Sequence, residues 1–175
     1  GQPIWICIPA SIFTSALFAL LLGAISSKLE DDYFAIGTLA FSAVVSALLV
    51  NWKSLTRGVL GIPGIPRPEL FGVDFRENGE FLQLATICTA ASQLLVYVFR
   101  STAFARALCA QSENPAAAQA LGKNTRNIRH DTFIISSALA GLAGSLFAYY
   151  INYIDPSSFT LYEMVFVLSI VVIGK

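Results

Sequence analysis

His130 is the chain's one histidine and stands beside Asp131, the pairing of residue types that general acid–base catalysis uses. Nothing else in the sequence completes a site around it. There is no Gly-x-Ser-x-Gly elbow, no His-Glu-x-x-His and no Gly-x-x-x-x-Gly-Lys-Ser/Thr phosphate loop, so acyl transfer, zinc hydrolysis and ATP hydrolysis all lack their residues. Cys7, Cys88 and Cys109 form no Cys-x-x-Cys pair, which removes zinc ribbons and disulfide scaffolds as well. No catalytic residue, metal or cofactor is expected, and any ATPase that powers this chain is a separate polypeptide. His130 and Asp131 read as a solvated pair at the basic start of a helix near the lipid headgroups.

The remaining candidates are uncharged. Thr38, Ser42 and Ser46 recur at helical spacing, as do Gln83, Thr86 and Gln93, so each set shares a helix face. Thr38, Ser42, Gln83 and Thr86 are candidates for lining a translocation path. The commoner use of such groups in membrane helices is a hydrogen bond to backbone or to a neighbouring helix, and both readings stand at this point. Ser137, Gly141, Gly144 and Ala148 follow an i, i+4, i+7, i+11 pattern, a smooth stripe that lets another helix backbone approach closely. Trp52, Tyr149, Tyr150 and Tyr153 suit an interfacial aromatic belt.

The elements that would position these residues follow from composition. Of the 175 residues, 55% are hydrophobic and 13% charged, against about 25% charged in an ordinary soluble domain. Eleven Lys and Arg balance eleven Asp and Glu, leaving no basic field to attract nucleic acid. A helix crosses the hydrocarbon with about 20 mostly apolar residues. Charge-free windows run over Ile4–Ile25, Tyr33–Trp52, Phe81–Phe99 and Thr132–Ile154, with a shorter fifth at Met164–Gly174. The first lacks the cationic lead of a secretory signal; with no initiating methionine and a shortened last window, the chain reads as part of a longer polytopic protein. No Asp, Glu, Lys, Arg or His falls inside any window, which opposes an ion-coupled carrier.

Loop charge sets the orientation. Arg100–Asp131 holds five basic residues and two acids, the mark of a cytoplasmic segment. Alternation then places Lys53–Glu80 and Asp155–Glu163 outside and the short turn Lys28–Asp32 inside. Lys53–Glu80 contains Gly58-Val-Leu-Gly-Ile-Pro-Gly-Ile-Pro-Arg-Pro68 and is expected to be an ordered loop. Within Arg100–Asp131, the run Ser112 to Gly122 has the parts of a complete short helix: Asn114 as N-cap, Pro115 at the first helical position, an alanine-rich body and Gly122 at the left-handed end. Such a helix is too short to stand alone. It either docks on a partner or serves as a capped connector on the membrane surface.

Several stretches together resemble the branched-chain amino acid ABC transporter permeases of the LivM type. They are Asp32-Tyr-Phe-Ala-Ile-Gly-Thr-Leu-Ala-Phe41, Leu55-Thr-Arg-Gly-Val-Leu-Gly-Ile-Pro-Gly-Ile-Pro-Arg-Pro68, Arg106-Ala-Leu, Glu113-Asn-Pro-Ala-Ala-Ala-Gln-Ala-Leu-Gly122, Ala138-Leu-Ala-Gly-Leu-Ala-Gly-Ser-Leu-Phe147, and Pro156-Ser-Ser-Phe-Thr160 with Glu163. Their order and spacing cover nearly the whole chain. The resemblance implies a cytoplasmic coupling loop at 100–131 that fits an ATPase cleft, with Arg106, Glu113, Ala117 and Gly122 as coupling positions. It also implies a second homologous permease, two ABC ATPase subunits and an external solute-binding protein as partners, around a chain embedded in the lipid bilayer of the plasma (inner) membrane. Departures are Glu30-Asp31 where the family commonly has Arg-Gly, Cys109 and Ser112 where it has more basic residues, and Lys175 in place of a glycine.

The expected fold is therefore all-α, a polytopic transmembrane helix bundle of an ABC importer permease, truncated at both ends, forming a single integral-membrane domain over 1–175. The expected function is ATP-driven import of branched-chain amino acids. Urea or short amides are the alternative cargo; an ion-coupled secondary transporter and an intramembrane enzyme are the alternative classes.

Overall fold

The computed structural model describes residues 4–26, 31–66, 69–70, 73–74 and 78–174. Helices dominate because a helix satisfies the backbone of each long apolar window within the window itself, as lipid requires. In chain order they are α1 (Ile4–Ser26), α2 (Asp31–Asn51), α3 (Lys53–Thr56), α4 (Asn78–Arg100), α5 (Ala103–Glu113), α6 (Pro115–Ala120), α7 (Thr125–Ile151) and α8 (Leu161–Ile173). Short 3-10 turns lie at Gly58–Leu60 and Pro156–Ser158. Four two-residue strands complete the list: β1 (Ile62–Pro63), β2 (Glu69–Leu70), β3 (Val73–Asp74) and β4 (Tyr153–Ile154).

Four stretches are helical, long and apolar enough to cross a membrane: Ile4–Gly23, Gly79–Arg100, Thr125–Ile151 and Pro156–Ile173. A fifth arises if Ile36–Asn51 is joined to Lys53–Leu60, from which it is bent by 72°. The fold is all-α and polytopic. The expected inner turn Lys28–Asp32 falls partly outside the described residues, and Lys175 falls wholly outside them.

α7 differs most from its charge window. α7 starts at Thr125, seven residues before Thr132, so Arg126, Arg129, His130 and Asp131 are helical. Charge marks where the hydrocarbon ends, not where the hydrogen-bond ladder does. At its other end α7 stops at Ile151, because Asn152 takes a left-handed conformation at φ 57° and the following two residues enter β4.

The chain divides into two compact units, Lys28–Pro66 with Ala148–Lys175, and Gln2–Ser27 with Arg67–Phe147. In the first, β1 pairs antiparallel with β4, Ile62 opposite Ile154 and Pro63 opposite Tyr153. The Ile65 N–H donates to Asn152 O at 3.2 Å, and the Tyr153 hydroxyl donates to Leu60 O at 3.2 Å. Gly61 makes this possible: at φ 63°, ψ −174° it occupies a region open essentially to glycine alone. A Cβ there would lie 2.5 Å from Ile154 O.

In the second unit, α1 and α7 meet through small residues. The Ser137 hydroxyl donates to Ser15 O at 3.0 Å. A Cβ on Gly141 would come within 2.7 Å of Ser11 O and closer still to the Ser15 hydroxyl. Further along, the His130 ring fills the notch left by Gly23. Ala19, between Ser15 and Gly23, is buried. Thus Ser11, Ser15, Ala19 and Gly23 form on α1 the counterpart of the small-residue stripe on α7. Gly144 is different, since a Cβ there would meet nothing within 4 Å.

Candidate functional site

The segment from Ser101 to Asn124 is built almost entirely from caps. α4 ends at Arg100, and Thr102, in extended conformation, begins α5 by accepting from the Ala105 N–H at 3.3 Å. Phe99 and Phe104 close that corner with ring centroids 5.3 Å apart. The Arg106 guanidinium donates back to Ser101 O at 3.0 Å. Asn114 then does two jobs. Its N–H donates to Ala110 O at 3.1 Å to finish α5, and its Oδ1 accepts from the Ala117 N–H at 3.0 Å to start α6, as an N-cap should.

Pro115 follows at the first helical position, where its missing N–H is no loss. α6 closes with Gly122 at φ 75°. The Gly122 N–H donates to Gln119 O and the Lys123 N–H to Ala118 O, the two bonds of a Schellman end. The Gln119 amide donates to the Thr125 hydroxyl at 2.8 Å, tying α6 to the start of α7. Asn124 caps α7 by accepting from the Asn127 N–H at 3.2 Å.

Burial gives this turn two faces. Ala105, Gln111, Ala118, Thr125 and Ile128 are buried. Outward stand Arg106, Cys109, Glu113, Ala117 and Gly122, together with Leu121, 80% exposed and one helical turn beyond Ala117. Gln111 is only 7% exposed, and among the described residues its Oε1 has no hydrogen-bond partner. The arrangement offers a surface with the cations Arg106 and Lys123, the anion Glu113 and the apolar Ala117 and Leu121. It contains no nucleophile–base pair, and among the described residues no cluster of three or more His, Cys, Asp or Glu side chains is assembled.

Over residues 1–175 the chain matches the family described as the branched-chain amino acid transport system permease component. The chain belongs to that family. It is 36% identical to the high-affinity branched-chain amino acid transport system permease protein LivM of Escherichia coli K12, over 99% of this chain and 46% of that one. To the probable LivM of Methanocaldococcus jannaschii it is 30% identical, over 89% of this chain and 46% of the relative. The autoinducer 2 import system permease protein LsrC of Escherichia coli O9:H4 is 28% identical, over 90% and 45%. The chain thus spans about half the length of the curated relatives it matches. No solved structure matches it.

Within this permease chain the expected coupling positions Arg106, Glu113, Ala117 and Gly122 lie on one capped turn. The expected path positions fall in different units. Thr38 and Ser42 sit on α2 in the first unit, Gln83 and Thr86 on α4 in the second. The Ser42 hydroxyl donates to Leu39 O at 2.8 Å and that of Thr86 to Leu82 O at 2.7 Å, so each gives its proton within its own helix and keeps its acceptor lone pairs. His130 is not the solvated side chain expected: its ring packs against Gly23, with Nδ1 3.8 Å from the Asp131 carboxylate. Leu121 and Gln111 were not singled out from sequence. Leu121 was signalled by its position four residues after Ala117; Gln111 carried no signal until burial was known.

Proposed function

We propose that the chain is part of the transmembrane permease subunit of an ATP-driven ABC importer for branched-chain amino acids, multi-pass in the inner membrane. The α5–α6 turn is its cytoplasmic coupling element. It works with a second permease, two ABC ATPases that hydrolyse the ATP, and an external solute-binding protein; the permease performs no covalent chemistry. The observation that carries this reading is the doubly capped turn in a chain of this family. Caps at both ends of α6 hold Glu113, Ala117 and Leu121 in fixed register outside the spans, as a lever between ATPase and helices requires. The relatedness to a permease named for autoinducer 2 import leaves cargo class to be measured, with urea and short amides as competitors.

Cys109 supplies the test, being exposed while Cys7 and Cys88 lie partly buried in α1 and α4. A membrane-impermeant maleimide should label Cys109 in inside-out vesicles stripped of ATPase and hardly at all in right-side-out vesicles. Labelling should fall when the ATPase is restored, and Glu113→Lys should weaken that protection. Labelling from the outside reverses the topology; unchanged labelling with bound ATPase leaves α6 a connector. Reconstituted complex should import leucine, isoleucine or valine with ATP after ion gradients are collapsed, and an uptake abolished by ionophore at saturating ATP would remove the ABC mechanism.

A further inference from the structure

α2 has 21 residues, of which the first two, Asp31 and Asp32, are charged; its charge-free part, Tyr33–Asn51, rises about 28 Å at roughly 1.5 Å per residue, close to the thickness of the hydrocarbon core. Its last residues therefore arrive at the far interface. There the chain turns by 72° into Lys53–Leu60, which lies within roughly 20° of the membrane plane if α2 runs near the normal.

The bend is a built structure. The Thr56 hydroxyl lies 2.5 Å from Leu49 O, a carbonyl of the last turn of α2, and 2.9 Å from Trp52 O, so its one proton is shared between the two. It also accepts from the Gly58 N–H at 3.2 Å. Gly58, at φ 65°, folds back so closely that a Cβ would lie 2.8 Å from Val50 O.

This segment displays an unusual set of side chains. Trp52, Leu55, Val59 and Leu60 are between 55% and 79% exposed, beside exposed Lys53 and Arg57, and Trp52–Leu60 carries no acid. Water would leave four large apolar groups wet. Mid-bilayer would bury two cations and an interrupted backbone. The headgroup–acyl boundary suits all of them, since indole and aliphatic groups enter the acyl edge while cations reach phosphate.

We propose that Trp52–Leu60 is an interfacial anchor that holds phospholipid phosphates through Lys53 and Arg57 and seats Trp52, Leu55, Val59 and Leu60 at the acyl edge. The bilayer already contacted by α2 continues onto this segment, which is the reason to assign it to lipid and not to a protein partner. The inference rests on α2 crossing the membrane and is independent of cargo and ATPase.

The full-length protein, with Cys7, Cys88 and Cys109 replaced by serine, is spin-labelled singly at Leu55→Cys, Val59→Cys or Leu60→Cys in nanodiscs. Relaxation by oxygen should exceed that by a water-soluble nickel chelate at all three sites, placing them about 5–10 Å below the phosphates. Phosphatidylcholine discs should suffice, and phosphatidylglycerol discs should deepen the labels, separating phosphate contact from net anionic charge. Lys53→Glu with Arg57→Glu should lower the oxygen-to-nickel ratio at Leu60 by roughly fivefold or more in phosphatidylglycerol. Three results would overturn the anchor: nickel access at all sites, depths near the bilayer centre, or shielding that needs added solute-binding protein. Loss of transport with the depths retained would count against the proposed function alone.

Discussion

Two turns of the molecule are held in opposite ways. The Ser101–Asn124 turn is completed by its near neighbours: Thr102 with Ala105, Asn114 with Ala117, Lys123 with Ala118, Gln119 with Thr125. The Leu60–Pro66 stretch is completed from far away, Leu60 by Tyr153 and Ile65 by Asn152. Each also contains a glycine at positive φ, but Gly61 lies against the backbone of β4, whereas a Cβ on Gly122 would meet nothing within 4 Å. A local turn can give slightly at one residue. A loop closed by a distant strand must part from it.

The matched substitutions should therefore differ most. Gly61→Ala combines a glycine-only conformation with a backbone collision and should cost about 3 kcal/mol or more, enough to open the β1–β4 pairing. Gly122→Ala should cost about 1 kcal/mol, the conformational penalty alone. Thermal unfolding of the purified protein in nanodiscs measures both. Equal losses would mean that the contact with Ile154 O does not matter.

The α1–α7 contact extends the distant class, with Ser137 and Ser15 joined across 122 residues. Gly141→Leu should drive α1 from α7 and lower the yield of folded protein several-fold, a loss of about 3 kcal/mol by analogy with overpacked cores. Gly144→Leu has room within this chain and should be mild. A severe effect at Gly144 with a mild one at Gly141 would place the close approach elsewhere.

Much of the local turn was legible in the sequence because its determinants are contiguous: Asn114, Pro115 and Gly122 mark α6 by residue type and spacing. α5 was not, since Arg106 and Glu113 made Arg100–Asp131 read as a charged loop, although its helix needs only the Thr102 cap and an alanine-rich body. The β1–β4 pairing was invisible for a different reason. Two-residue strands carry no periodicity, and nothing in Ile62-Pro63 names Tyr153-Ile154 as its partner. Likewise the stripe on α7 could be read, while Ser11, Ser15, Ala19 and Gly23 were hidden in a window judged by charge alone. For the candidate site, sequence placed the four expected coupling positions on one segment and the spacing from Ala117 signalled Leu121, whereas the buried amide of Gln111 depended on packing.

Within the local turn, Asn114→Ala removes the cap of α6 and should cost about 1 kcal/mol, with Asn114→Asp restoring most of it. If alanine is as stable as asparagine, the elbow is held by burial of Ala105 and Ala118 and not by its cap. Gln111→Leu should move stability the other way by up to about 1 kcal/mol, because it replaces a buried acceptor that has no partner among the described residues by an apolar group of similar size. A lower unfolding temperature for Gln111→Leu would show that the amide is engaged.

The smallest effect belongs to the distant loop and is a pH dependence. Asp155, just after β4, accepts hydrogen bonds from the hydroxyls of Ser157, at 2.6 Å, and Ser158. These bonds favour the carboxylate, Ser157 first and then Ser158, and hold its pKa below the ordinary carboxylate value despite a smaller opposing effect of desolvation. A carboxyl whose folded pKa is depressed stabilises the fold above its unfolded pKa, and that contribution disappears as pH falls through the folded value. Wild type should accordingly unfold at slightly higher temperature than Asp155→Asn at pH 7, and the two curves should converge below about pH 4, where carboxylates protonate. A difference that stays constant from pH 7 to pH 3 would assign the turn's stability to its geometry, with the charge on Asp155 contributing nothing.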